Sequence, residues 1–115
     1  MAVTAREFRQ MALSFPETEA RSHMGHPDFR VAAKIFATLG YPDKDSGMVK
    51  VTPMEQWMFV EAAPKACNPC SGVWGRRGAT NVKVSAVKKA VLRRALTAAW
   101  ELAAPPRLRP SKPTR

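Results

Sequence analysis

The stretch that most restricts the fold is "FRVAAKIFATL", residues 29–39. Its odd positions, Phe29, Val31, Ala33, Ile35, Ala37 and Leu39, are all apolar, whereas the even ones include Arg30, Lys34 and Thr38. Strict alternation gathers the apolar side chains on one side of a pleated ribbon, the pattern of a strand with one buried face. One long strand and a tight hairpin near Ala32 and Ala33 both satisfy it. Either way a sheet is required, and the rest of the chain must supply further strands and a cover for the apolar face.

The covers are expected to be helices. "TAREFRQMALSFP" opens on a capping box, Thr4 with Glu7, carries Phe8, Met11, Ala12 and Phe15 at helical spacing, and stops at Pro16. "TPMEQWMFVEAAP" repeats that grammar with Thr52 as cap, Pro53 in the first turn, Glu55 closing the box and Pro64 as the stop. Its Met54, Trp57 and Met58 are read as core rather than as a binding groove. A last helix is expected from a Ser85 cap to about Ala103. Val87, Val91, Ala95, Ala98 and Leu102 would form its core stripe, with Lys89, Arg93 and Arg94 outside. Between the helices, "EARSHM", "MVKVT" and "TNVKV" read as strands, "GHPD" and "GYPDKDSG" as turns, and "KACNPCSGVWGRRG" as a loop. The order α-β-β-β-β-α-β-α predicts an α+β domain, a mostly antiparallel sheet with helices packed on one face.

A chain of 115 residues suits one domain. We expect it over residues 1–104, followed by a Pro/Arg-rich flexible arm, "PPRLRPSKPTR", over 105–115. No run approaches the roughly 18 to 20 apolar residues of a membrane span. Arg6, Glu7, Arg9 and Gln10 interrupt the segment where a secretory signal needs a continuous apolar run, so a cytoplasmic protein is expected, with no membrane partner and its cysteines as thiols.

Charge is divided unevenly. Residues 1–64 hold seven basic and eight acidic residues, whereas residues 65–115 hold twelve basic residues and Glu101 alone on the acidic side. Such asymmetry implies an anionic partner: nucleic acid first, DNA in particular, with an acidic protein as the alternative. The expected nucleic-acid-binding residues are Arg76 and Arg77 beside Trp74, then Lys83, and Lys88, Lys89, Arg93 and Arg94 of the last helix. Backbone amides after Ser85 add an expected anion seat, and Arg107, Arg109, Lys112 and Arg115 of the arm add reach. Trp74 is read as buried under its loop, with stacking on a base as the alternative. No base-reading pattern is identifiable, so binding is expected to be weak and sequence-tolerant. Neutralising about five phosphates on duplex would give a log–log salt slope near −4 to −5.

"GHPDFRVAAKIFATL" (25–39), "WGRRGATNV" (74–82) and "AWELAAPPRL" (99–108) resemble the MmcQ/YjbR-like family of small bacterial proteins, over nearly the whole chain apart from the extreme tail. The resemblance implies a compact fold of the kind called double-wing or CyaY-like, and a role in DNA binding. It supplies no catalytic residues to carry over, and no cofactor is expected. The chain departs from the family pattern at Ala79, where Trp is frequent, and at "CNPC", where Pro and aromatic residues are usual.

His23 and His26, with Cys67 and Cys70, make a tetrahedral zinc set on paper. Their order is the reverse of the usual finger and forty residues separate the pairs, so no metal site is expected. "CNPC" also resembles the Cys-Gly-Pro-Cys of thioredoxin-like oxidoreductases, yet redox pairs of that type open a helix after a strand, and this pair follows a helix. No phosphate-cradling glycine loop occurs, and "GRRG" is too short to be one. Glu17 and Glu19 are read as solvated carboxylates. A non-catalytic basic module is therefore expected, ahead of an adaptor for an acidic partner and a metal or thiol protein using "CNPC".

Overall fold

A computed structural model describes residues 3–23 and 25–108. The alternating stretch is a hairpin: β2 (His26–Val31) pairs antiparallel with β3 (Lys34–Leu39). Ala32 and Ala33 make the turn, both with left-handed backbone (φ 51° and 68°), the twist that suits a two-residue hairpin. β1 (Thr18–His23) flanks β2, so the "GHPD" segment is strand from His26 on. β4 (Ser46–Lys50) follows β3. The strands "TNVKV" and, unexpectedly, "CNP" complete the sheet as β6 (Ala79–Lys83) and β5 (Cys67–Pro69), in the order β1-β2-β3-β4-β6-β5. All five pairings are antiparallel.

Residues paired across antiparallel strands share a face. Phe29, Ala37, Val49 and Thr80 align in one such row, and Leu39, Gly47, Val82 and Cys67 in another; all eight are buried. Within the strands, Ala33 being exposed in the turn, the odd–even reading of residues 29–39 fails at one place. Phe29 pairs with Ala37 but Arg30 with Ile35, so Phe36 is an extra residue, and a bulge turns it into the core while Ile35 is only half-buried.

Helix α1 (Ala5–Leu13) has the expected reciprocal cap: Thr4 Oγ1 accepts from Glu7 N at 3.1 Å and Glu7 Oε1 accepts from Thr4 N at 3.0 Å. It drives Phe8, Met11 and Ala12 into the core. Helix α2 (Pro53–Ala62) is capped the same way by Thr52 and Glu55. Helix α4 (Lys89–Ala103) lies against β3 and β4 and touches α1 and α2, which gathers these helices on one face. The short helix α3 (Gly72–Arg76) interrupts the expected long loop.

Two expected stripes are corrected. The last helix starts at Lys89 with Lys88 as N-cap, not at Ser85, and it buries Leu92, Ala95, Leu96, Ala99 and Trp100. Leu102 is 48 % exposed. Trp100 sets this phase: its ring stacks on Phe15 at 5.9 Å and its Nε1 donates to the Pro16 carbonyl at 3.2 Å. On α2, Met54, Trp57 and Met58 are exposed by 68 %, 61 % and 54 %, so they are surface and not core. The covering role falls to half-buried Phe59 and Val60, on the opposite side of the helix. Of the expected arm, Pro106–Leu108 form a 3-10 turn, Leu108 packs against the core, and Arg107 forks onto Glu17 at 3.2 Å twice. Residues 109–115, with Arg109, Lys112 and Arg115, lie outside the described residues. Among the described residues no helix is long and apolar enough to cross a membrane.

Candidate nucleic-acid interface

"GVWGR" forms a helix instead of a loop because two glycines permit very close backbone contacts. A Cβ on Gly75 would stand 1.7 Å from the Cys70 carbonyl oxygen. Gly78, with φ +114°, packs on Val51 and Thr52 at the start of α2. Gln56 of α2 fixes the same segment by donating from Nε2 to the carbonyls of Gly75 and Ala79, both at 2.9 Å. The backbone is thereby pinned inward and the side chains of Trp74, Arg76 and Arg77 are left outward.

Trp74 is 60 % exposed, contrary to the burial expected from sequence. Lys50 Nζ lies 5.4 Å from its ring centroid and the Arg77 guanidinium carbon 5.8 Å. Sequence reasoning missed Lys50. The strand register brings it in, because Lys50 pairs with Ala79, directly after the "WGRRG" segment. Among the described residues Lys50, Arg76 and Arg77 form no ion pair with a carboxylate. The result is an aromatic face with at least two cations beside it, an arrangement that suits stacking and phosphate contact together.

The other expected residues lie elsewhere. Lys83 closes β6 opposite Ser46, four residues and so about 13 Å along the strand from Ala79. Lys88 and Lys89 follow it through a turn in which Val87 N donates to the Lys83 carbonyl at 3.0 Å. Arg93 and Arg94 are exposed on the next turns of α4. Arg76 and Arg77 thus precede the start of β6, whereas Lys83 and the lysines that lead into α4 lie at its close.

The group at the start of α4 is partly compensated. Lys89 Nζ pairs with Glu7 at 2.9 Å, and this contact, with the Thr4 cap, holds the Glu7 carboxyl below its ordinary pKa. The expected anion seat after Ser85 is filled by the chain itself: Ser85 N donates to Asp45 Oδ1 at 3.0 Å and Ser85 Oγ donates to Asp45 Oδ2.

The histidines and cysteines do not converge. β2, which begins at His26, is separated from β5, which begins at Cys67, by four inter-strand steps, roughly 19 Å. His26 packs edge-on against Tyr41 at 5.5 Å, and the side chain of His23 lies outside the described residues. The "CNPC" segment is extended, with the ladder continued by Cys70 N donating to the Ala79 carbonyl at 2.9 Å. Three residues apart on a strand, the two sulfurs fall on opposite faces. Cys67 is buried in the core and Cys70 Sγ donates to Asn81 Oδ1 at 3.3 Å. Burial pushes both thiols above their ordinary pKa, the opposite of what a thiolate nucleophile requires.

Comparison with known proteins adds a family and a fold. The model of the YjbR family matches residues 13–102. The crystal structure of Deinococcus radiodurans protein DR2400, with a DUF419 domain, superposes with a TM-score of 0.73 at 16 % identity, over 88 % of this chain and 78 % of that one. At that identity the likeness is one of fold. No curated protein matches the chain.

Proposed function

The chain belongs to the YjbR family, and from that premise we propose that it is a non-catalytic module that binds nucleic acid with little sequence preference. The observation that carries this reading is Trp74, 60 % exposed, with Lys50 and Arg77 beside its ring. An exposed indole offers a stacking surface to any base, and the cations next to it meet the phosphates on either side. Arg76 extends the positive edge, and guanidinium groups suit the fork geometry of phosphate oxygens. Lys83, Lys88, Arg93 and Arg94 add to the field that draws a polyanion in, whereas Lys89 is held by Glu7. In this reading the contacts are to phosphates and to the face of a base, so affinity rests on backbone contact and stacking.

The test is fluorescence anisotropy of labelled single-stranded and duplex DNA titrated with the protein at 50 and 200 mM salt. Three phosphate contacts, by Lys50, Arg76 and Arg77, give a log–log slope of about −2 on single strands and about −2.7 on duplex. Stacking by Trp74 adds that single strands bind at least as tightly as duplex of equal length. Absence of binding at 50 mM salt, or affinity that ignores salt, overturns the reading.

A further inference from the structure

On the far side of Lys50 from Trp74, the hairpin turn after β2, the start of β3, the end of β4 and the last turn of α4 border an open cleft of about 440 Å³. Its charged lining is Arg30, Lys34 and Lys50, and among the described residues no carboxylate lines it. Arg30 is already compensated, donating through Nε and Nη2 to the fully buried Asp28 at 2.8 and 3.1 Å. Lys34 and Lys50 form no ion pair among the described residues. Two lysines therefore share one concavity without a counter-ion, an arrangement that an anion would relieve.

The rest of the lining is aliphatic: Ile35, Leu102, Ala33 and Ala103. A single exposed leucine on a surface needs no explanation. Leu102 differs because its half-exposed side chain opens into a concave site beside two unpaired cations. Apolar lining with a few charged groups is the usual make-up of a small-ligand site.

We propose that this cleft binds a small amphiphilic anion, a carboxylate or phosphate monoester on an aliphatic body. The head group lies between Lys34 and Lys50 and the body lies against Ile35 and Leu102. The proposal can be tested apart from nucleic-acid binding, since Lys34, Ile35 and Leu102 belong to no part of that surface, although Lys50 serves both.

The experiment is isothermal titration calorimetry of the full chain with octyl phosphate, octanoate, inorganic phosphate and 1-octanol. Octyl phosphate or octanoate is expected to bind at least tenfold more tightly than inorganic phosphate, with no heat from 1-octanol. Lys34→Gln should weaken the octyl anions at least fivefold. Leu102→Asp, which removes the wall and adds a carboxylate, should abolish their binding while leaving the circular dichroism melt unchanged. The double variant Arg76→Gln/Arg77→Gln should leave octyl anion binding within twofold, so failure of one surface is separable from failure of the other. Inorganic phosphate binding as tightly as octyl phosphate, 1-octanol binding as tightly as either, no heat from both octyl anions, or indifference to Lys34→Gln and Leu102→Asp each overturns the proposal.

Discussion

Gly78 is pressed so closely on Val51 that a Cβ at Gly78 would stand 1.9 Å from the Val51 carbonyl oxygen. Its φ of +114° is one that a side-chain-bearing residue rarely adopts, so Gly78→Ala meets both a steric and a conformational penalty. Neither neighbour can yield cheaply, because the contact is with backbone. We expect Gly78→Ala to cost about 3 kcal/mol or more in urea unfolding, a fall in Tm of at least roughly 12 °C for a domain of this size. A loss below about 1 kcal/mol would mean that the "WGRRG" segment is not seated on the start of α2.

The thiols give a pH-dependent test. Burial raises the pKa of both Cys67 and Cys70, so the thiolate fraction at neutral pH is lower than for a free cysteine. Alkylation by iodoacetamide should be slow at pH 7 and should still be rising at pH 9, where an activated thiol has already reached its plateau. Cys70, partly accessible, should react first, and Cys67 only as fast as the fold opens. A rate that levels off below pH 8 at either cysteine would restore thiol chemistry as a function.

Helix α2 presents Met54, Trp57 and Met58 to solvent, and substitution distinguishes this from a core stripe. Trp57→Gln should change stability by no more than about 0.5 kcal/mol. Leu96→Ala, at a side chain with no exposure, should cost about 2–5 kcal/mol. Urea midpoints of the two variants against the parent decide the matter, and a loss of 2 kcal/mol or more for Trp57→Gln would return it to the core.

These contrasts mark what the sequence carries. Local signals translate directly: the Thr4–Glu7 and Thr52–Glu55 boxes are satisfied within four residues, and they appear as expected. The hairpin, the antiparallel sheet and the helix-covered face follow from patterns nearly as local. What failed depends on partners distant in sequence. Both faces of α2 are apolar, so only packing decides that Phe59 and Val60 turn inward and Trp57 outward. The phase of α4 is set by Trp100 reaching Phe15 and Pro16, more than eighty residues away. Lys50 reaches Trp74 only through the β4–β6 register, and Asp45 fills the Ser85 seat across forty residues. Clustering of charge in sequence therefore overstated clustering in space: Arg76 and Arg77 precede β6, whereas Lys83, Lys88 and Lys89 lie at or beyond its other end.

The division between those ends is itself measurable. At the "WGRRG" end Arg76 and Arg77 form no ion pair among the described residues, whereas at the start of α4 Glu7 holds Lys89 and Asp45 occupies Ser85. If the first end makes the contacts, Arg76→Gln/Arg77→Gln should flatten the salt slope on single-stranded DNA by about 1.4, since each lost phosphate contact removes about 0.7. Trp74→Ala should weaken binding by about 1–3 kcal/mol with little change in slope, because stacking releases no counter-ions. Arg93→Gln/Arg94→Gln should lower affinity less than about threefold, through the general field alone. Anisotropy titrations of the three variants at four salt concentrations measure all of these quantities. Equal losses from the two arginine pairs would move the interface onto α4, and a Trp74→Ala protein that binds like the parent would leave electrostatics without stacking.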